Sequence, residues 1–118
     1  MSGHGGLAGP VRRRIRTLLV RQLLEEQATA LLEAAEGPAP ARFHRRVADR
    51  LMLLTSGVPT ADWATAYGLA KLAGTVYRQT CSVLHGNRAF ADVPEVLVQE
   101  WEEAAERVRE AVAAAVDR

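Results

Sequence analysis

The stretch from Thr60 to Gly86, TADWATAYGLAKLAGTVYRQTCSVLHG, decides how this chain folds. Leu69, Leu72, Ala73, Val76, Thr80 and Val83 follow the i, i+3, i+4, i+7 spacing of one helical face, which predicts a core stripe. Thr60 is placed to cap the helix start, and Asp62 lies near the positive end of its dipole. Gly86 suits the position just past a helix end, so His85 belongs to the last turn. Arg78 and His85 are seven residues apart, which sets them within about 20° of one line on the helix surface. Lys71 lies seven residues before Arg78, on nearly the same line. This polar line falls roughly opposite the Val76 stripe, with the small residues Gly74 and Cys81 beside it. Such a line faces either water or a helix that comes close. In a twofold dimer that helix would be the same one of a second copy.

Working outward, three further helices are legible. The first is expected from about Val11 to Ala35, with Ile15, Leu18, Leu19, Leu23 and Leu32 as its apolar stripe, widened by Val20, Leu24 and Leu31. Gly37-Pro38-Ala39-Pro40 ends it. The second is expected from about Ala41 to Thr55, where Val47, Leu51 and Leu54 recur at helical spacing and Gly57 and Pro59 stop the run. Arg42, Arg45, Arg46 and Asp49 should face water. The fourth opens at Asp92-Val93-Pro94-Glu95, a capping-box-like pair with an early proline. Leu97, Trp101, Ala104, Ala105, Val108, Val112, Ala115 and Val116 form its buried stripe. No strand signal or internal repeat accompanies them. The fold class is therefore all-α, an antiparallel bundle of about four helices in a single domain over residues 11–118. Residues 1–10 are glycine-rich and read as a disordered leader.

Composition agrees. The chain has 118 residues, 48% hydrophobic but only 5% aromatic, so alanine and leucine carry the core. Net charge is +1, which does not by itself demand nucleic acid. The charge is uneven: residues 1–59 hold nine arginines against five acids, and residues 60–118 hold six basic residues against nine acids. That asymmetry can join two protomers or offer a basic face to a polyanion, against the plainer reading of a solvated mixture. The single cysteine, Cys81, excludes an intramolecular disulfide or a thiolate metal cluster and fits a reducing cytoplasm. No apolar run approaches the roughly 18 residues of a membrane span, so no membrane partner is expected.

Chemistry is concentrated in Tyr77-Arg78-Gln79-Thr80-Cys81-Ser82-Val83-Leu84-His85-Gly86-Asn87. A guanidinium and an imidazole on one line can bind a phosphate and move a proton beside it. These residues resemble the HEPN superfamily of small helical nucleotide-binding domains. That family is marked by an arginine, four to six intervening residues, and a histidine near the end of a late helix in the bundle. Arg78, six intervening residues and His85 match, and His85-Gly86 is similar to the His-Gly of several bacterial branches. Where the family often has Asn, Asp or His after the arginine, this chain has Gln79. The resemblance implies metal-independent RNA cleavage by a homodimer, commonly in toxin–antitoxin or anti-phage systems, with no cofactor. Arg78 and His85 would be catalytic and Gln79 and Asn87 possible polar helpers.

The remaining features admit plainer readings. Arg12, Arg13, Arg14 and Arg16 open the first helix with a basic cluster. Lys71, Arg12, Arg13 and Arg16 are the candidate RNA contacts. They oppose the helix dipole at that end, yet a solvated basic end is the simpler account. Arg42, His44, Arg45 and Arg46 form a second cluster with the same alternatives. Three scattered histidines and one cysteine do not make a zinc site, so no metal is expected. Trp63 and Trp101 read as core or interface aromatics. Glu100, Glu102, Glu103, Glu106 and Glu110 read as the wet face of the fourth helix. The alternative function is a non-catalytic helical module that dimerises or docks onto a larger complex, such as an antitoxin or defence partner.

Overall fold

The computed structural model describes residues 9–35, 46–85 and 93–117. They form four α-helices: α1 (Gly9–Ala34), α2 (Val47–Leu51), α3 (Trp63–Leu84) and α4 (Glu95–Val116). Short 3₁₀ segments, Met52–Thr55 and Thr60–Asp62, join α2 to α3, and no strand occurs among the described residues. The chain is an all-α helical bundle.

Helix ends differ from the sequence expectation in instructive ways. Gly9 and Pro10 already belong to α1, two residues before the expected start at Val11, and residues 1–8 lie outside the described residues. A first-turn proline costs a helix nothing, because its missing N–H would have no partner there. Thr60 begins a 3₁₀ turn instead of capping α3, and Asp62 makes no capping side-chain bond. Pro94 takes the N-cap position of α4, again without a side-chain cap. The Gly37–Pro40 stop, Asp92 and Gly86 lie outside the described residues. The second helix ends at Thr55 as expected, but only five of its described residues are α-helical.

Chain direction follows from three sets of contacts. Arg16 near the start of α1 meets Glu95 and Glu102 near the start of α4, so those helices run parallel. Arg14 reaches the carbonyls of Val83 and Leu84 at the end of α3, and Tyr77 reaches Glu25, so α3 runs against α1. Trp101 of α4 meets Gln79 of α3, while Ala111 and Ala114 share a cavity wall with Thr65 and Ala66, so α3 also runs against α4. The expected antiparallel arrangement thus holds for α3 against its neighbours and not for α1 with α4.

The core is built on Leu24, Leu51, Val83, Val98, Trp101 and Val108, none more than 2% exposed. The stripe expected on α3 is buried at Leu69, Ala73, Val76, Thr80 and Val83, while Leu72 is exposed. On α4 the expected positions are buried from Trp101 to Val112, but Val116 is exposed and Val98 joins the core. Buried Thr17 and Thr80 satisfy their hydroxyls inside their own helices, donating to Arg13 and Tyr77 carbonyl oxygens at 2.8 and 2.7 Å. The correction lies in α1. Its buried face is Thr17, Val20, Leu24, Ala28 and Leu31, and Ile15, Leu18 and Leu19 point outward at 43%, 40% and 56% exposure. The helix carries apolar residues on two sides, so periodicity took in both and did not show that only the Val20, Leu24 and Leu31 side packs inward.

Candidate functional site

α3 packs against both α1 and α2, and α2 meets it around its middle. Ala66, Ala70, Ala73 and Gly74 are buried small residues, and they let α2 approach closely. A β-carbon placed on Gly74 would meet the β-carbon of Ala48 at 3.4 Å. At Gly74 the small-residue edge admits α2 of the same chain. Ala48 and Asp49 of α2, Met52 of the following 3₁₀ turn, and Ala70, Lys71, Gly74 and Arg78 of α3 line a shallow depression of about 180 Å³.

Lys71, Arg78 and His85 are all exposed, on the line that the spacing requires. Arg78 turns back toward the start of α3, and its guanidinium donates to the Thr75 hydroxyl at 3.3 Å. This is the ordinary direction of helical side chains, which lean toward the N-terminus. His85 is the C-cap residue, with φ −88° and ψ 11°, and its backbone N–H bonds to Cys81. A separation of seven residues puts the two α-carbons about 10 Å apart along the axis. Within one chain the two groups share a face but do not meet.

The other candidates separate into two kinds. The amide oxygen of Gln79 accepts from the indole Nε1 of Trp101 at 2.9 Å, so Gln79 is turned toward α4 and away from the Arg78 line. Arg16 is committed to α4: its Nη1 donates to Glu95 at 2.8 Å, and its Nε and Nη2 donate to the two oxygens of Glu102 at 3.0 and 2.5 Å. Its own pKa is raised, and the Glu95 carboxyl is held below its usual value, chiefly by that hydrogen bond. Both residues anchor the bundle. Arg13 is half-buried and also lowers the Glu95 pKa through its charge, whereas Arg12 is exposed. Asn87, His44, Arg42 and Arg45 lie outside the described residues.

The arginine that the fold brings to the end of α3 is Arg14. Its two terminal nitrogens donate to the carbonyl oxygens of Val83 and Leu84, each at 3.2 Å. These are the two residues before His85, and a cation there also meets the negative end of the α3 dipole. Arg14 lies seven residues from Arg21, so the two share the side of α1 turned to α3. Arg21 approaches Glu25 at 3.6 Å, and Tyr77 donates to Glu25 at 2.8 Å. Burial, then the Glu25 hydrogen bond, push the Tyr77 phenol up to about 12. This polar seam fastens α1 to α3 beside half-buried Cys81.

Among the described residues no group of three potential ligands is placed to hold a metal ion, and no helix is long and apolar enough to cross a membrane. No protein-family model, curated protein or solved structure matches the chain.

Proposed function

We propose that this chain is a cytoplasmic HEPN-like, metal-independent endoribonuclease that acts as a homodimer, in a toxin–antitoxin or anti-phage setting. One observation carries the reading. Exposed His85 is the C-cap residue of α3, Arg14 is fixed on the carbonyls just before it, and Arg78 and Lys71 stand on the same open face. His85 takes the proton from a ribose 2′-hydroxyl, and the 2′-oxygen attacks the adjacent phosphorus. The 5′-oxygen leaves with the proton returned by the His85 imidazolium, and a 2′,3′-cyclic phosphate remains. Arg78 binds the phosphate and offsets the added negative charge.

This chemistry requires Arg78 to swing from Thr75 toward His85. The bond it gives up is exposed and worth roughly 0.5–1.5 kcal/mol net, against about 1.5–3 kcal/mol for a hydrogen bond to a charged group. Exposed side chains change rotamer in roughly picoseconds to nanoseconds. A phosphate therefore has enough binding energy to recruit the guanidinium. The dimer is supported by the outward face of α1, where Val11, Ile15, Leu18 and Leu19 leave an apolar stripe uncovered beside Arg14. A second copy seated there would close over the end of α3.

Two observations favour the second reading, a non-catalytic helical docking module. Arg78 is turned from His85, and Gln79 is engaged with Trp101. Incubation of total RNA in EDTA with the wild type, His85→Ala and Arg78→Ala separates the readings. Cleavage that both substitutions abolish supports the nuclease, and equal background in all three leaves the docking module. Expression in a bacterial host should slow growth for the wild type and not for either variant.

A further inference from the structure

Trp63 and Tyr67 lie one turn apart at the start of α3 with their rings stacked, centroids 5.0 Å apart and planes inclined by 18°. They are 47% and 38% exposed. This is an unusual place for two large aromatic rings. The other tryptophan, Trp101, is buried with its indole N–H satisfied. Among the described residues, about half of Trp63 and over a third of Tyr67 stay uncovered.

Its position on α3 gives it meaning. Tyr67 and His85 are 18 residues apart, close to five full turns, so they share a line. Lys71 and Arg78 fall between them within about 40° of that line. All four are exposed. The line runs for about 27 Å from the aromatic pair to the imidazole, the reach of several nucleotides. The charge beside it is mixed, with the cations Lys71 and Arg78 on the line itself. Lys71 and Arg78 border the depression that Asp49 of α2 also lines, Asp62 stands just before Trp63, and Glu100, Glu103 and Arg107 of α4 line the groove on the Thr75 side. Aromatic faces for bases, joined to cations for phosphates, are what sequence-independent binding of a single strand requires.

We infer that Trp63 and Tyr67 form a stacking platform for an unpaired base, and that single-stranded RNA lies along α3 from this platform past Lys71 and Arg78 to His85. The inference deepens the nuclease reading and rests on RNA as its ligand. It gives that site a polarity: a base is held at one end and the scissile phosphate at the other. Bases paired within a duplex are already stacked, so the platform discriminates against double strands.

Binding of a labelled single-stranded oligouridylate of about twelve nucleotides tests this, in a His85→Ala background so that no cleavage intervenes. Trp63→Ala and Tyr67→Ala should each weaken binding about tenfold, with helical circular dichroism unchanged. Trp63→Phe and Tyr67→Phe keep a ring and should hold affinity within about twofold. Lys71→Ala should reduce the salt slope by about 0.7. Duplex RNA of the same length should bind more weakly. Undiminished affinity in both alanine variants overturns the platform and leaves RNA binding standing, and the rings then only stabilise the start of α3. Equal affinity for duplex also overturns it. No RNA binding by the parent protein removes the platform and the nuclease together. Binding that depends on the rings, in a protein whose native form cuts no RNA, removes only the catalytic step.

Discussion

The indole N–H of Trp101 and the side-chain amide oxygen of Gln79 form a 2.9 Å hydrogen bond that ties α4 to α3. Trp101 is 2% exposed, so its donor has no solvent to turn to. Gln79→Ala leaves that donor without a partner and should cost about 1–3 kcal/mol of stability. Gln79→Glu keeps an acceptor and should cost less. Urea unfolding followed by Trp101 fluorescence measures both. Equal stability of Gln79→Ala and the wild type would return Gln79 to the list of residues available to a ligand.

Arg16 holds Glu95 and Glu102 together at the start of α4. The folded-state pKa of Glu95 is depressed below 4.5, first by its hydrogen bond with Arg16. Its contribution is present above the unfolded value and lost as pH falls through the folded one. The wild type should therefore lose stability on acidification below about pH 4.5 more steeply than Glu95→Gln. Melting temperatures across the acid range read this. Parallel acid limbs for the two proteins would contradict it.

Two glycines of α3 should respond in opposite ways. Gly68 has open space where a β-carbon would stand, so Gly68→Ala should stabilise the helix by roughly 0.5–1 kcal/mol. Gly74 faces Ala48, whose α-carbon is 3.9 Å from the position of an added β-carbon. Gly74→Leu must push α2 away and should cost about 1–3 kcal/mol. Thermal unfolding of both variants checks the pair. A tolerated leucine at position 74 would mean that α2 does not close on α3 as described.

The outward face of α1 should be the dimer contact. Ile15→Glu with Leu19→Glu should abolish a concentration-dependent dimer seen by light scattering, without loss of helix content. Both residues are exposed in the single chain, so their replacement should leave its core intact. A dimer that survives the double substitution, or a wild type that stays monomeric at high concentration, would place this stripe outside any self-contact.

The bundle was legible because α3 and α4 each have one apolar face, and 3.6-residue spacing identifies such a face directly. Trp101, Val108 and Val112 fell where that spacing put them. α1 was legible as a helix but not in orientation, because Ile15, Leu18 and Leu19 compete with Val20, Leu24 and Leu31. Only Leu24 and its neighbours find α3 and α4 to pack against. At the candidate site, sequence spacing set Lys71, Arg78 and His85 on one face. It could not show that Arg78 bends toward Thr75, since side-chain direction depends on what stands beside it. Nor could it separate Arg14 from Arg16 within one basic run. Two positions turn a helix by about 200°, which sends Arg14 to α3 and Arg16 to α4. The role of Gln79 was hidden for the same reason: its partner Trp101 lies 22 residues away in sequence.

RNA cleavage in EDTA, with the product ends identified, tests the central claim most directly. The wild type should release fragments ending in a 2′,3′-cyclic phosphate, and His85→Ala and Arg78→Ala should each release none above buffer. Identical fragment patterns from the wild type and the His85→Ala protein, or no cleavage by a correctly folded dimer, would contradict an acid–base role for the imidazole at the end of α3.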